Sequence, residues 1–164
     1  MSGKISQIRF QLPKNKINLK KLFKKNNWNY QKIIEKTGIK QVYHSSKNES
    51  AINLGIKAAS KITKKNKNID SLIYVTQSPE FHLPTNACVI QNNLGLKKNI
   101  ISFDVNQGCS GFVYGLAIAD NFIKAGQAKT VLLIGAETFS RILDWKDRST
   151  CVLFGDGAGA IVMQ

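Results

Sequence analysis

A thiol at Cys109 stands where it can do chemistry. It lies in the stretch SFDVNQGCSGFVYGLAIA over residues 102–119, between Gly108 and Gly111. The apolar residues before it predict a buried strand ending at Val105. A tight turn, Asn-Gln-Gly, follows, and Cys109 opens the next helix. Free amide groups and the positive end of the helix dipole favour a thiolate there, below the ordinary thiol pKa of about 8.5. The thiolate is the nucleophilic form, and the same amides can hold an oxyanion on an attacked thioester. Position alone leaves a second reading open, a cysteine acting as a small buried hydrophobe. That second reading is the one taken for Cys88, in mid-helix, and for Cys151, within a strand. The three cysteines form no C-x-x-C pair, and neither His44 nor His82 closely flanks one. A structural zinc site, a disulfide framework and a cysteine protease are therefore not expected, and no metal site is predicted.

The elements that must position this thiol are readable in part. Residues 5–12 alternate apolar and polar with a slip at Ser6-Gln7, which predicts a strand that Pro13 and Asn15 break. Asn18 caps a short helix over 19–26, and Asn29 caps a second over 30–36 that Gly38 terminates. Asn48, Glu49 and Ser50 precede a longer helix through Lys64, with Ile52, Ile56, Ala59 and Ile62 at helical spacing. A polar turn follows over 64–68. The runs SLIYVT (71–76), IISFDV (100–105) and TVLLIGA (130–136) read as strands buried on both faces. Helices are expected over 85–94 and 109–125, the latter apolar nearly all round and so buried in the core. Residues 150–154 and 159–163 read as an antiparallel pair around a tight GDGAG hairpin. Strands alternating with helices predict one α/β domain over 1–164, a sheet covered by helices on both faces.

Charge is distributed unevenly. The net charge is +14, but residues 1–67 carry seventeen basic and two acidic residues, and 68–164 carry seven basic and eight acidic. A lysine-rich solvated face explains this, as does a surface that steers an acidic partner or a phosphate-bearing substrate. Lysine outnumbers arginine twenty-one to three, and no nucleic-acid-reading motif is present, so nucleic acid is not an expected partner. No stretch has the length of a membrane span and the start lacks the apolar core of a signal peptide, which together predict a cytoplasmic protein without membrane contact.

The motifs DVNQGCSGFVYGL, GAETFSRILDW and DRSTCVLFGDGAGAIV, with TGIKQ at 37–41 and LPTNACVIQNNLG at 83–95, resemble those of β-ketoacyl-acyl carrier protein synthase III, of the thiolase superfamily. The resemblance runs from about Ile5 to Met163. It implies a thiolase-like half, three-layer α/β/α with a five-stranded mixed sheet, paired in the family with a second similar half. It also implies decarboxylating Claisen condensation through an acyl-cysteine, with malonyl-acyl carrier protein as partner substrate, an acyl thioester of coenzyme A or carrier protein as donor, no cofactor, and a homodimer. By matching position, Cys109 is the implied nucleophile and its N–H half of the oxyanion hole. Arg148 is implied near the coenzyme A adenine, Phe154 in the active-site lining, and Leu83 in the acyl pocket of another subunit. Where the family carries W-I-x-x-R-T-G, this chain has Lys32-Ile33-Ile34-Glu35-Lys36-Thr37-Gly38. Lys32 and Lys36 can meet phosphate as point charges but present no flat stacking surface, which makes a carrier-bound donor an alternative to coenzyme A. The family's catalytic histidine and asparagine belong to its second half, and neither His44 nor His82 sits in a matching motif. Two other readings stay open: another thiolase-superfamily condensing enzyme, and a truncated, non-catalytic partner domain.

Overall fold

The structure is a computed structural model that describes residues 2–64 and 68–164. Three parallel strands form one side of its main sheet. β4 (Ser71–Val75) is wholly buried and pairs in parallel with β5 (Ile101–Val105) on one side and β6 (Val131–Thr138) on the other. β7 (Asp156–Met163) runs antiparallel to β6, and β1 (Ile5–Gln11) antiparallel to β7. The order β1-β7-β6-β4-β5 makes the expected five-stranded mixed sheet. The slip in the β1 pattern is a register shift between Ile5 and Gln7.

Period-two alternation splits the core into two layers. Leu72 and Tyr74 point to the face covered by α3 (Ala51–Thr63) and α4 (Asn86–Asn93), where they meet Leu54, Ala58, Ile62 and Ile90. Ile73 and Val75 point to the opposite face, against Phe112, Leu116, Ala119 and Phe122 of α5 (Gly111–Lys124). Ser50 caps α3 in a capping box with Asn53. A satellite layer holds α1 (Leu19–Lys25) and α2 (Tyr30–Thr37), whose caps are Asn18 and Asn29 as expected, and Gly38 ends α2 at φ +69°. Its small core sets the Phe23 ring edge-on to Trp28 and Tyr30, with centroids 5.6 Å apart in each pair.

Besides β5, which is an edge strand, exposed at Ile101 and half-buried elsewhere rather than buried on both faces as expected, four expectations need correction. Asn15 does not break a strand; it begins β2 (Asn15–Asn18), which pairs with β3 (Gln41–His44) in a separate two-stranded sheet. The sequence NKIN offers one apolar residue and no alternation, so only the distant partner reveals it. Residues 150–154 are turns, tied down by the Asp147 carboxylate, which accepts from Ser149 N at 2.8 Å, Ser149 Oγ at 2.6 Å and Thr150 Oγ1 at 2.7 Å. GDGAG is accordingly no hairpin: from Asp156 it is already β7, and Cys151, though buried, lies in the turns. Third, Cys88 is in mid-helix but exposed. Fourth, α5 buries one face only, through Gly111, Gly115 and Ala119, while Val113 is 66% and Tyr114 54% exposed. The polar turn expected over 64–68 falls mainly on 65–67, outside the described residues.

Two glycines seat α5 on the sheet. A Cβ on Gly111 would stand 2.7 Å from Val75 Cγ1, and one on Gly115 2.7 Å from Leu133 Cδ1. Neither fits without displacement of a packed side chain. Gly115→Val is expected to destabilise the chain by about 1–3 kcal/mol, as overpacking does. Urea unfolding of the variant beside the parent measures this, and an unchanged midpoint counts against close seating.

Candidate functional site

Strand β5 ends at Val105, and Gln107 leads into Gly108 at φ +56°, a left-handed conformation that favours glycine. Gly108–Ser110 then form one 3₁₀ turn, fastened by Ser110 Oγ donating to Gln107 O at 3.0 Å. Cys109 sits on this turn, two residues ahead of α5 rather than inside its first turn, and is exposed. It lines a cavity of about 250 Å³ at the carboxyl ends of the parallel strands. Val75 at the end of β4, Gln77 after it, Gly108 before the thiol, Phe112 on α5, Gly135–Glu137 on β6 and Gly157–Gly159 on β7 make up the rest of the wall. Crevices at the carboxyl ends of strands are where open α/β sheets bind ligands.

Three carboxylates brace the loops around these strand ends. Glu137 accepts from Gln77 N at 2.7 Å and from Ser78 Oγ at 2.6 Å, and its burial pushes its pKa up. Asp104 on β5 accepts from Asn86 N at 2.8 Å and Ala87 N at 2.7 Å, and so holds the start of α4. Asp156 accepts from Ser45 N at 2.6 Å, Ser140 N at 2.9 Å and Ser140 Oγ at 2.6 Å. None of the three was singled out from the sequence. The signal available was an acid closing, opening or interrupting an otherwise apolar strand.

The remaining candidates divide between places. Lys32, Lys36 and Arg148 come together with Asn29, Thr37 and Ser149 around a separate groove of about 340 Å³. Three side chains from two distant stretches thus set three cations around one groove. Phe154 stacks on Phe139, with centroids 4.9 Å apart and planes 13° from parallel, and is not among the residues lining the Cys109 cavity. Leu83 is 85% exposed on the loop before α4 and lines neither space. Among the described residues no group of three histidine, cysteine or acidic side chains is placed to hold a metal, and no helix is long and apolar enough to cross a membrane.

The comparison with known proteins agrees with this geometry. Residues 103–164, which contain the Cys109 turn, match the family described as 3-oxoacyl-[acyl-carrier-protein (ACP)] synthase III. By sequence and fold, the chain is similar to β-ketoacyl-[acyl-carrier-protein] synthase III over the part of those proteins that it covers. The synthase III of Ehrlichia canis (strain Jake) is 52% identical over 136 residues, which are 80% of this chain and 42% of that protein. That of Bartonella bacilliformis is 50% identical over 137 residues, with the same two shares. The crystal structure of the Aquifex aeolicus synthase III superposes with a TM-score of 0.92 at 40% identity, over 99% of this chain and 53% of that one. The chain thus spans about half the length of the synthase III relatives it matches, and its thiolase-like fold is theirs.

His44 marks how the satellite layer is tied to the site. It is buried, and its ring packs edge-on to Trp145 with centroids 4.7 Å apart. Burial lowers its pKa from 6.5, against the opposing pull of Asp156. A histidine whose folded pKa lies below its unfolded one binds fewer protons in the native state. Stability therefore rises with pH up to about 6.5 and falls as pH drops through that window. His44→Asn is expected to remove this slope, as read from urea midpoints between pH 5 and 8. An identical slope in parent and variant contradicts the assignment.

Proposed function

We propose that this chain carries the acyl-accepting part of a condensing enzyme, with Cys109 as the nucleophile. The observation that carries the reading is the position of the Cys109 thiol. It is exposed on a turn just ahead of α5 and lines a cavity at the strand ends. The positive end of a fourteen-residue helix lies next to it. That end favours both a thiolate and the oxyanion formed when the thiolate attacks.

In the proposed first step the Cys109 thiolate attacks the carbonyl carbon of an acyl thioester. The tetrahedral oxyanion then collapses, the C–S bond to the donor thiol breaks, and that thiol leaves carrying its electron pair and takes up a proton. In the condensation that the family resemblance implies, malonyl-acyl carrier protein loses carbon dioxide. Its carbanion attacks the acyl-cysteine and returns the thiolate, giving a 3-oxoacyl thioester. The histidine and asparagine implied for the second step have no match within residues 1–164, so the first step is the one proposed for these residues. Acyl carrier protein as partner, a homodimer in which Leu83 reaches the neighbouring subunit, and a cytoplasmic location belong to the same proposal.

The groove of Lys32, Lys36 and Arg148 suits the phosphates of the donor. Lysines act there as point charges, and Arg148 is the one planar cation. Donor choice is then governed by charge more than by base stacking.

Two outcomes are expected. Incubated with an acyl-coenzyme A, the chain gains one acyl mass on the tryptic peptide bearing Cys109, and Cys109→Ala does not; acylation that persists in the variant rejects the nucleophile. Reversing charge in Lys32→Glu/Lys36→Glu is expected to slow acylation by coenzyme A thioesters about tenfold or more, in keeping with loss of charge-assisted phosphate contacts. A small N-acetylcysteamine thioester, which has no phosphate, is expected to react as before. An equal effect on both donors argues against phosphate binding in the groove.

A further inference from the structure

Glu137 is a half-buried carboxylate that lines the same cavity as the thiol. Among the described residues no ion pair reaches it, and burial is the largest influence on its pKa. Burying a charge in this way is costly unless hydrogen bonds compensate. Here the compensation is specific. One oxygen accepts from Gln77 N at 2.7 Å. The other accepts from Ser78 Oγ at 2.6 Å and, more distantly, from Thr76 Oγ1 at 3.4 Å. Ser78 Oγ in turn accepts from Thr138 N at 3.0 Å, and Thr76 Oγ1 accepts from Ser78 N at 3.1 Å. A single side chain at the end of β6 thus ties down three consecutive residues leaving β4.

The middle one of the three is Gln77. Its side-chain oxygen lies 3.8 Å from where a Cβ on Gly108 would stand, so it lies beside the residue that precedes Cys109. Gln77, Glu137 and Cys109 line the same cavity. Asn86 extends the arrangement along the loop: its Oδ1 accepts from Glu80 N at 3.0 Å and Phe81 N at 3.2 Å, and its Nδ2 donates to Asp104 at 2.7 Å. The loop is therefore held at both ends by acids on the strand tips, and Glu137 holds the end nearest the thiol.

We propose that Glu137 is a positioning residue for acyl transfer: by clamping Gln77 and Ser78 it fixes the cavity wall beside Cys109 on which an incoming acyl thioester must seat. This rests on the acyl-acceptor reading of Cys109. The role asks for shape and hydrogen bonds more than for charge. A glutamine can keep the link to Gln77 N through its oxygen and donate to Ser78 Oγ, because a hydroxyl has two acceptor lone pairs and Thr138 N uses one. An alanine keeps neither contact.

The test uses the whole chain and two probes of Cys109. One is an acetyl-N-acetylcysteamine thioester, which must seat in the cavity. The other is iodoacetamide, a small reagent that needs only an accessible thiol. Glu137→Ala is expected to acylate about tenfold or more slowly, since small misplacements at a reacting centre carry effects of up to about a hundredfold. Glu137→Gln is expected to stay within about threefold of the parent, and alkylation by iodoacetamide within about twofold in every variant. Ser78→Ala, which removes one link and leaves the carboxylate, is expected to fall between and serves if the alanine variant does not fold. Three results overturn the proposal. One is an alanine or Ser78 variant that acylates at the parent rate. Another is a glutamine variant as impaired as the alanine. The third is a parallel loss of acylation and alkylation, which marks general loosening. A parent chain that is alkylated but never acylated sinks the acyl-acceptor reading itself, and that failure appears in the parent, not in the variants.

Discussion

Helix α5 lies against β4 and β6 at a distance that only glycine permits. The contacts at Gly111 and Gly115 let Val75 and Leu133 fill the space that side chains would otherwise occupy. The remaining arrangement at the thiol follows from that seating. Because α5 starts directly over the end of β4, the 3₁₀ turn carrying Cys109 has to lie at the strand tips. The positive φ at Gly108 then lets the chain leave β5 and reach that start within a few residues. Packing of apolar atoms thus decides where the polar Cys109 turn stands.

The strand tips show the opposite chemistry from the strand interiors. Residues 71–75 and 131–134 are buried and apolar apart from Ser71 and the Tyr74 hydroxyl, yet Glu137 is next to last in β6, Asp104 is next to last in β5, and β7 starts with Asp156. Each acid collects backbone N–H groups from a neighbouring loop. Such loops carry amides that strand pairing does not satisfy, and an unsatisfied buried amide costs about 1–3 kcal/mol. Carboxylates satisfy two or three donors at once and so turn irregular loops into fixed walls. The near-neutral charge of residues 68–164 reflects these structural acids, in contrast to the basic first part, whose lysines are largely on the surface.

Two lysines of that basic part line a groove together with Arg148. Lys32 and Lys36 are one helical turn apart on α2, which places them on the same face. Arg148 reaches the groove from turns more than a hundred residues away. The link between them is the small core of Phe23, Val42, Cys151 and Val152, which packs α1, β3 and the turns before β7 together. Cys151 therefore serves packing, while Cys109, on its turn, is exposed.

Much of this was present in the order of residues. Continuous apolar runs marked β4 and β6 because strands buried on both faces must be apolar throughout, whereas β5, read the same way, is the half-buried edge of the sheet. Asn18, Asn29 and Ser50 marked helix starts because a side-chain oxygen is needed there for free amides. The strand-turn-cysteine-helix pattern singled out Cys109 for the same local reason. Pairing and burial, however, depend on partners far away in the chain. β2 became a strand only beside β3, and residues 156–158 at the glycine-containing start of β7 only beside β6, since such short segments have no periodicity of their own. The turns at 150–154 looked like a strand because their apolar residues serve a satellite core instead of a sheet. The clamp at Glu137 joins residues about sixty positions apart. Only the folded chain brings its acid and its loop together, because hydrogen bonds depend on distance in space, which sequence order does not encode.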